Sequence, residues 1–200
     1  MYRVSIVYAW VLRLMIATMI RIFWIAIVCL LCAGPAPALE LAETRALAEQ
    51  GDAWYQTELA LMYHHGKGLP KNYGEAARWY RLAAEQEYSK AQANLGVMYG
   101  EGQGVSQDYS EAATWFRKAA EQGNSLAQHN LGLLYGRGQG VKQDYAEAYI
   151  WESLAATSGN RDAIKNRDIL IGRLSDSELT AAQRRESFLY LKIEHQKSSR

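Results

Sequence analysis

Beyond residue 38 the sequence contains no cysteine, because Cys29 and Cys32 are the two cysteines of the chain. Without the segment that carries them, the protein has no thiol, disulfide or cysteine metal ligand. Proline is also scarce, with three in 200 residues, and Pro70 is the one that follows residue 38. A dominant charge is missing as well, since residues 39–200 carry 19 basic and 21 acidic groups. A nearly neutral chain predicts no general attraction to nucleic acid.

Patterns that support catalysis are absent too. Residues 39–200 contain no Ser-x-x-Lys and no Gly-x-Ser-x-Gly, so no activated nucleophile is indicated. The glycine loops at 100–104 and 136–140 follow predicted helices, whereas a phosphate-binding loop follows a strand. His64 and His65 lack further ligands at zinc spacing and are expected to be solvated loop residues. We therefore expect a protein without catalytic residues, metal or cofactor.

The first 38 residues have the pattern of a secretory signal peptide. The run from Ile22 to Ala33 is apolar and follows Arg21. Ala36 and Ala38 then supply small residues at the −3 and −1 positions of a cleavage site before Leu39. The pattern predicts a periplasmic or secreted protein that begins at Leu39.

Two alternatives for this leader stay open. It is unusually long, and translation from Met15 or Met19 would leave a leader of ordinary length. An uncleaved leader would instead anchor the protein in the inner membrane, and membrane contact is expected only in that case.

The residues after the leader repeat with a step of 36. Tyrosine, tryptophan and glycine recur at this spacing, at positions 63, 99 and 135, then 79, 115 and 151, then 66, 102 and 138. A period in this range is typical of a solenoid, in which each unit buries its apolar face against its neighbours. The sequence predicts three repeats, at 53–88, 89–124 and 125–160.

Each repeat is predicted to be a pair of helices. In the second repeat the first helix should bury Ala91, Leu95 and Tyr99, and Gly96 should lie where another helix passes too closely for a larger side chain. Glycines 100, 102 and 104 are expected to end that helix with positive φ. The second helix should begin at Asp108, with Glu111 at the spacing of a reciprocal cap, and Asn72 and Asp144 occupy the matching positions.

Segments on both sides of the repeats are predicted to cap them. Residues 39–52 are rich in helix formers and match the ends of the later helices, which indicates an N-terminal capping helix. Residues 161–200 begin like a fourth first helix and then depart from the repeat. Ser175 and Glu178 form a capping box that opens one more helix, so 161–200 are expected to form a C-terminal helical cap and tail.

The repeated residues resemble the Sel-one-like repeat, a relative of the tetratricopeptide repeat. In the second copy the match consists of Ala91, Leu95, Gly96, Tyr99, Gly102, Gly104, Val105, Asp108, Tyr109, Ala112, Trp115, Phe116, Ala119, Ala120 and Gly123. The resemblance implies an all-α protein, a right-handed α-α superhelix of Sel-one-like, tetratricopeptide-like repeats. It also implies a non-enzymatic adaptor in signalling or membrane-associated complexes. Glu152 departs from the pattern and predicts a more solvated outer surface in the third repeat.

Surface positions on the first helices are the candidate binding residues. In tetratricopeptide-like stacks the first helices line the concave groove, and these positions are expected to contact a protein or peptide. The candidates are Gln56, Glu58, Gln92, Asn94, Gln128, His129 and Asn130.

Three functions remain open from the sequence. An exported adaptor that binds another protein through the groove is the first, and it has no nucleic-acid partner. A cell-wall-active or hydrolytic enzyme is the second, and it would require charged residues that converge in a deep pocket. A membrane-tethered assembly factor is the third, and it differs from the first in keeping its leader.

Overall fold

The computed structural model describes residues 37–199, with side chains from residue 41 onward, so the predicted leader lies outside the described residues. The chain divides into two compact units, and nearly all of the described residues belong to the second, Leu41–Arg200. The helices of the described residues are α1 (Pro37–Glu49), α2 (Ala53–His65), α3 (Tyr73–Glu85), α4 (Ser89–Glu101), α5 (Tyr109–Glu121), α6 (Ser125–Arg137), α7 (Tyr145–Thr157), α8 (Arg161–Ile171) and α9 (Asp176–Ser198). Within the described range every regular element is a helix, which confirms the predicted all-α fold.

Consecutive helices pack against each other in pairs, as a solenoid requires. The pairs α2–α3, α4–α5 and α6–α7 are the three repeats, and α8 packs on α7 as a further first helix. Both apolar cores of Leu41–Arg200 lie inside this unit, one around α1 to α4 and one around α5 to α9. The unit therefore has its own buried apolar surface.

The second helices begin at the predicted residues. The carboxylate of Asp108 accepts the backbone N–H of Glu111 at 3.1 Å, and Asn72 and Asp144 accept the equivalent N–H groups. Among the helix starts in the described range, the start of α9 at Ser175 has both hydrogen bonds of a capping box, because the Glu178 side chain also accepts the backbone N–H of Ser175. The starting positions are confirmed, and the reciprocal bond is seen at α9.

The glycine loops contact the backbone of the previous repeat. Gly104 has a φ of 71°, and a Cβ placed there would lie 2.2 Å from the carbonyl oxygen of Tyr73. Gly140 meets Tyr109 in the same way, also at 2.2 Å. Backbone is therefore in contact with backbone at both places, where no side chain fits. Gly100 differs from the expectation, because it lies inside α4 and the positive φ begins at Gly102.

The helix α1 packs as though it were the second helix of an earlier repeat. Arg45 donates to the hydroxyl of Tyr63, and Arg81 donates to that of Tyr99 at 2.7 Å, one repeat later. At the other end of the molecule, α9 packs on α7 through Ala182 and Ile193, which are 1% and 3% exposed. Both ends of the repeat stack are thus covered by helices.

Candidate functional site

The three glutamines proposed as surface contacts are buried, and that part of the prediction is wrong. Gln56, Gln92 and Gln128 are 4%, 2% and 3% exposed. The side-chain amide of Gln92 donates to the carbonyl of Ala84 at 3.1 Å, and its oxygen accepts from Gln122 at 2.8 Å.

Gln56 and Gln128 make the equivalent bonds to Ala48 and Ala120 at 3.2 Å. The repetition of glutamine therefore has a structural cause. Each amide adds a second donor to a carbonyl in the last turn of the preceding helix, which also accepts the backbone N–H three residues later.

The other predicted positions remain on the first helices with partial exposure. Glu58 is half-buried and forms an exposed ion pair with Lys90 at 3.0 Å, which joins α2 to α4. Asn130 donates to the carbonyl of Leu126 in its own helix at 2.9 Å. Asn94 makes no hydrogen bond to any residue of the described range. Asn94 therefore has its full donor and acceptor capacity available to a partner.

The structure adds a third asparagine and an aliphatic row to this surface. Asn94, Asn130 and Asn166 follow one another at the 36-residue step on α4, α6 and α8, and all three are half-buried. One turn further along each helix lie aliphatic residues at the same step, namely Leu61, Val97, Leu133 and Ile169. We call these two rows the first-helix face. The step of 36 could have identified both rows, but Asn166 lies past the last recognised repeat.

Two concavities open between neighbouring first helices on this face. One has a volume of about 220 Å³ between α4 and α6, and Val97, Asn130 and Leu133 contribute to its wall. The other has a volume of about 130 Å³ between α6 and α8, bordered by Leu133 and Ile169. Ile169 is 62% exposed, so the aliphatic row reaches solvent most fully at α8. Each concavity has the size of a side chain rather than of a substrate.

The third repeat contains a buried polar cluster in place of an aromatic contact. Glu152 occupies the position of Phe116 and is 1% exposed, so the prediction of a more solvated surface there is wrong. One carboxylate oxygen lies 2.8 Å from Nδ1 of His129, and the other accepts from Asn166 at 2.8 Å. Both oxygens are therefore satisfied, which is what burial of a carboxylate requires.

This cluster changes the role expected for His129. The hydrogen bond to Glu152 raises the pKa of His129, and partial burial opposes that rise. The imidazole is mostly covered, with 16% of its side chain exposed, and it joins α6 to α7 while Asn166 joins α8. His129 thus connects helices beneath the first-helix face, and most of its side chain is shielded from solvent.

The paired histidines also lie differently from the expectation. Both belong to the last turn of α2, and His64 is half-buried against Tyr73, with 5.2 Å between the ring centroids. Burial lowers the pKa of His64, and nearby His65 and Lys71 lower it further. Among the residues that the structure describes, no group of three His, Cys, Asp or Glu side chains is placed to hold a metal ion.

Comparisons with known proteins place these observations in a family. The model of the Sel1 repeat matches residues 55–88, 89–124 and 125–160. A search of curated proteins found no match.

Two solved structures are similar to this chain. One is c5321, a protective antigen present in uropathogenic Escherichia coli strains that displays an SLR fold, with 45% identity and a TM-score of 0.59 over 62% of this chain and 26% of the antigen. The other is a Sel1 repeat protein from Oxalobacter formigenes, with 34% identity and a TM-score of 0.59 over 66% of this chain and 60% of that protein. The matched part is about a quarter of the antigen's length.

Between residues 37 and 199 no helix combines the length and the apolar character needed to cross a membrane.

Proposed function

Because this chain belongs to the Sel1 repeat family, we propose that it is a non-enzymatic exported scaffold that binds another protein along the first-helix face. Proteins of this family commonly serve as protein-interaction scaffolds. The single observation that supports the proposal most is the row of asparagines beside the row of aliphatic residues. The complex that it serves is proposed to be one of signalling or envelope assembly.

The chemistry of the two rows suits a polypeptide segment. A carboxamide both donates and accepts hydrogen bonds, so Asn94 and Asn130 complement the N–H and C=O groups of a peptide backbone. The aliphatic row and its two concavities accept apolar side chains of such a segment. The rows repeat with the solenoid, so the partner should be an elongated segment that crosses several first helices.

Export is proposed from two separate observations. The pattern of residues 1–38 predicts a signal peptide with cleavage before Leu39. A similar protein, c5321, is a protective antigen of uropathogenic strains, which is consistent with an exported protein.

The binding face can be tested by partner capture with two matched triple variants. The face variant combines Asn94→Ala, Asn130→Ala and Ile169→Ser, and the control combines Arg78→Ala, Leu82→Ser and Lys118→Ala on exposed parts of α3 and α5. Loss of a few central contacts costs about 2 kcal/mol or more. We therefore expect the amount of partner captured by the face variant to fall by about tenfold or more. Captured proteins should be identified from the exported fraction and quantified by mass spectrometry.

The control variant separates binding from folding. It should retain the partners of the unchanged protein, and both triple variants should melt within a few degrees of it. A face variant that keeps all partners, or a control that loses the same ones, would contradict binding at the first-helix face.

A further inference from the structure

The outer face of α9 combines exposed apolar side chains with cations. Phe188 and Leu191 are 72% and 67% exposed, although both are large and apolar. Arg184, Lys192 and His195 are exposed beside them. With 3.6 residues per turn, these five side chains occupy an arc of about 100°, opposite the residues that pack on α7. We call them the outer α9 face, and no carboxylate lies within its arc.

The carboxylates of α9 are engaged in other directions. Glu178 caps the start of the helix at Ser175, and Glu194 pairs with Lys197 at 2.8 Å. Glu186 is half-buried, and burial raises the pKa of its carboxyl. In the part of the chain that the structure describes, neither Arg184 nor Lys192 forms an ion pair. The positive charge of the outer α9 face is therefore available to an external anion.

A cleft beside α9 is also lined by positively charged side chains. It has a volume of about 400 Å³ between α5, α7 and α9, and three arginines line it, Arg117, Arg184 and Arg185. Glu121 and Glu147 line it too, and Glu147 is paired with Arg185. A guanidinium has five N–H donors, so one ion pair leaves donors unused. The cleft can therefore accept a phosphate next to the outer α9 face.

We propose that the outer α9 face binds the surface of an anionic lipid bilayer. Phe188 and Leu191 enter the headgroup boundary, Arg184 and Lys192 contact lipid phosphates, and the adjacent cleft receives one headgroup. Exposed apolar side chains bury their area at the headgroup boundary of a bilayer, and cations beside them are attracted to anionic headgroups. The repeats already hold α9 in place through its opposite side, so binding requires no folding of the helix.

Other occupants fit the face less well. Two copies of the chain that met through α9 would bring Arg184 and Lys192 of one copy against the same cations of the other. An acidic protein would satisfy the charge, but Phe188 and Leu191 are exposed beside the cations, and an anionic bilayer receives both kinds of side chain. The observations therefore favour lipid, and this membrane contact would not depend on an uncleaved leader.

Vesicle sedimentation tests the proposal with residues 39–200, which contain the compact unit Leu41–Arg200 and lack the apolar leader. The chain should sediment with vesicles of phosphatidylcholine that contain about 30% phosphatidylglycerol and stay in solution with pure phosphatidylcholine vesicles. Charge reversal by R184E/K192E should lower partitioning by about tenfold or more. Removal of the apolar contact by F188S/L191S should lower it about as much.

Matched controls are available on other surfaces. The double reversal K142E/K165E changes two exposed lysines elsewhere, and Leu126→Ser removes an apolar side chain that is 46% exposed on α6. Both should leave partitioning within about twofold of the unchanged chain. Equal binding to the two vesicle types, or equal losses in the controls, would overturn the proposal. Retention by an acidic polypeptide such as polyglutamate without vesicle binding would overturn it too and would assign the face to an acidic protein.

Discussion

At the residue scale, one contact distinguishes the second repeat from the third. Gly96 lies on α4 where the ring of Phe116 crosses it, and a Cβ at residue 96 would be 2.7 Å from that ring. In the third repeat Gly132 has the same relation to Glu152, at 2.8 Å. The glycine is therefore retained because the helices approach closely, whereas the side chain opposite it is free to change from aromatic to carboxylate.

Gly96→Ala should destabilise the protein although alanine is the better helix former. The added methyl overlaps the Phe116 ring, and overpacking of this kind costs about 1–3 kcal/mol. Gly100→Ala on the same helix is the control, because its Cβ would lie 3.9 Å from Ala112. This variant should gain about 0.5–1 kcal/mol in free energy of unfolding. Urea unfolding of both variants measures the two free energies, and a stabilising Gly96→Ala would refute the close contact.

The cluster of His129, Glu152 and Asn166 should make stability depend on pH. Because the pKa of His129 is raised in the folded protein, the protonated form is favoured there. The contribution of protonated His129 to the free energy of unfolding is complete below the ordinary pKa of about 6.5. It is lost as pH rises through the raised pKa of the folded protein. His129→Ala should therefore remove this pH dependence and cost about 3 kcal/mol, since it leaves Glu152 with one fewer partner.

The second repeat supplies the control for that experiment. The double variant H129A/E152F places the residues of the second repeat, Ala93 and Phe116, in the third, and it should recover most of the stability. Unfolding followed by circular dichroism between pH 5.5 and pH 8 distinguishes the variants. A double variant that keeps the pH dependence would show that another group titrates.

At the element scale, buried glutamines join each first helix to the helix before it. The bond from Gln92 to Ala84 spans α4 and α3, and the bond from Gln122 adds the end of α5. Three helices of two repeats meet at this one amide. Such bonds fix how consecutive units are stacked, and they repeat wherever the sequence repeats glutamine.

Gln92→Ala should act on stability rather than on partner binding. It removes the hydrogen bond that Gln92 donates to the carbonyl of Ala84 and the one that it accepts from Gln122, and each loss costs about 0.5–1.5 kcal/mol. Asn94→Ala, two residues away and half-buried, should change stability by about 0.5 kcal/mol or less. Thermal unfolding of both variants checks the difference, and similar losses would contradict it.

At the scale of the whole molecule, charge is distributed unevenly along the chain. Residues 39–160 carry ten basic and fifteen acidic groups, whereas residues 161–200 carry nine and six. The repeats thus offer polar and aliphatic rows for a protein, and the C-terminal cap offers the cationic surface of α9. Binding of a protein and binding of lipid are therefore proposed for different parts of the stack, and neither requires residues of the other.

The fate of the leader is a prediction for the complete chain. If residues 1–38 are a signal peptide, the exported protein should begin at Leu39, and its mass should lack the leader. Amino-terminal sequencing of the exported form measures this directly. Recovery of an amino terminus at or before residue 21 would instead indicate the membrane-anchored form.

The sequence by itself determined the repeat, the helix starts and the family. These signals are local, because a capping residue and its N–H lie three residues apart and the whole pattern recurs every 36 residues. A periodic chain also repeats its packing, so one correctly interpreted unit predicts the next.

Only the tertiary structure decided which polar side chains are buried. Gln92 and Asn94 are two residues apart on one helix, yet the first is 2% exposed and the second faces outward in part. The burial of Glu152 depends on His129 and Asn166, which lie 23 and 14 residues away and belong to different helices. The free energy of burying a polar group depends on whether partners from other elements reach it, and local sequence does not contain that information.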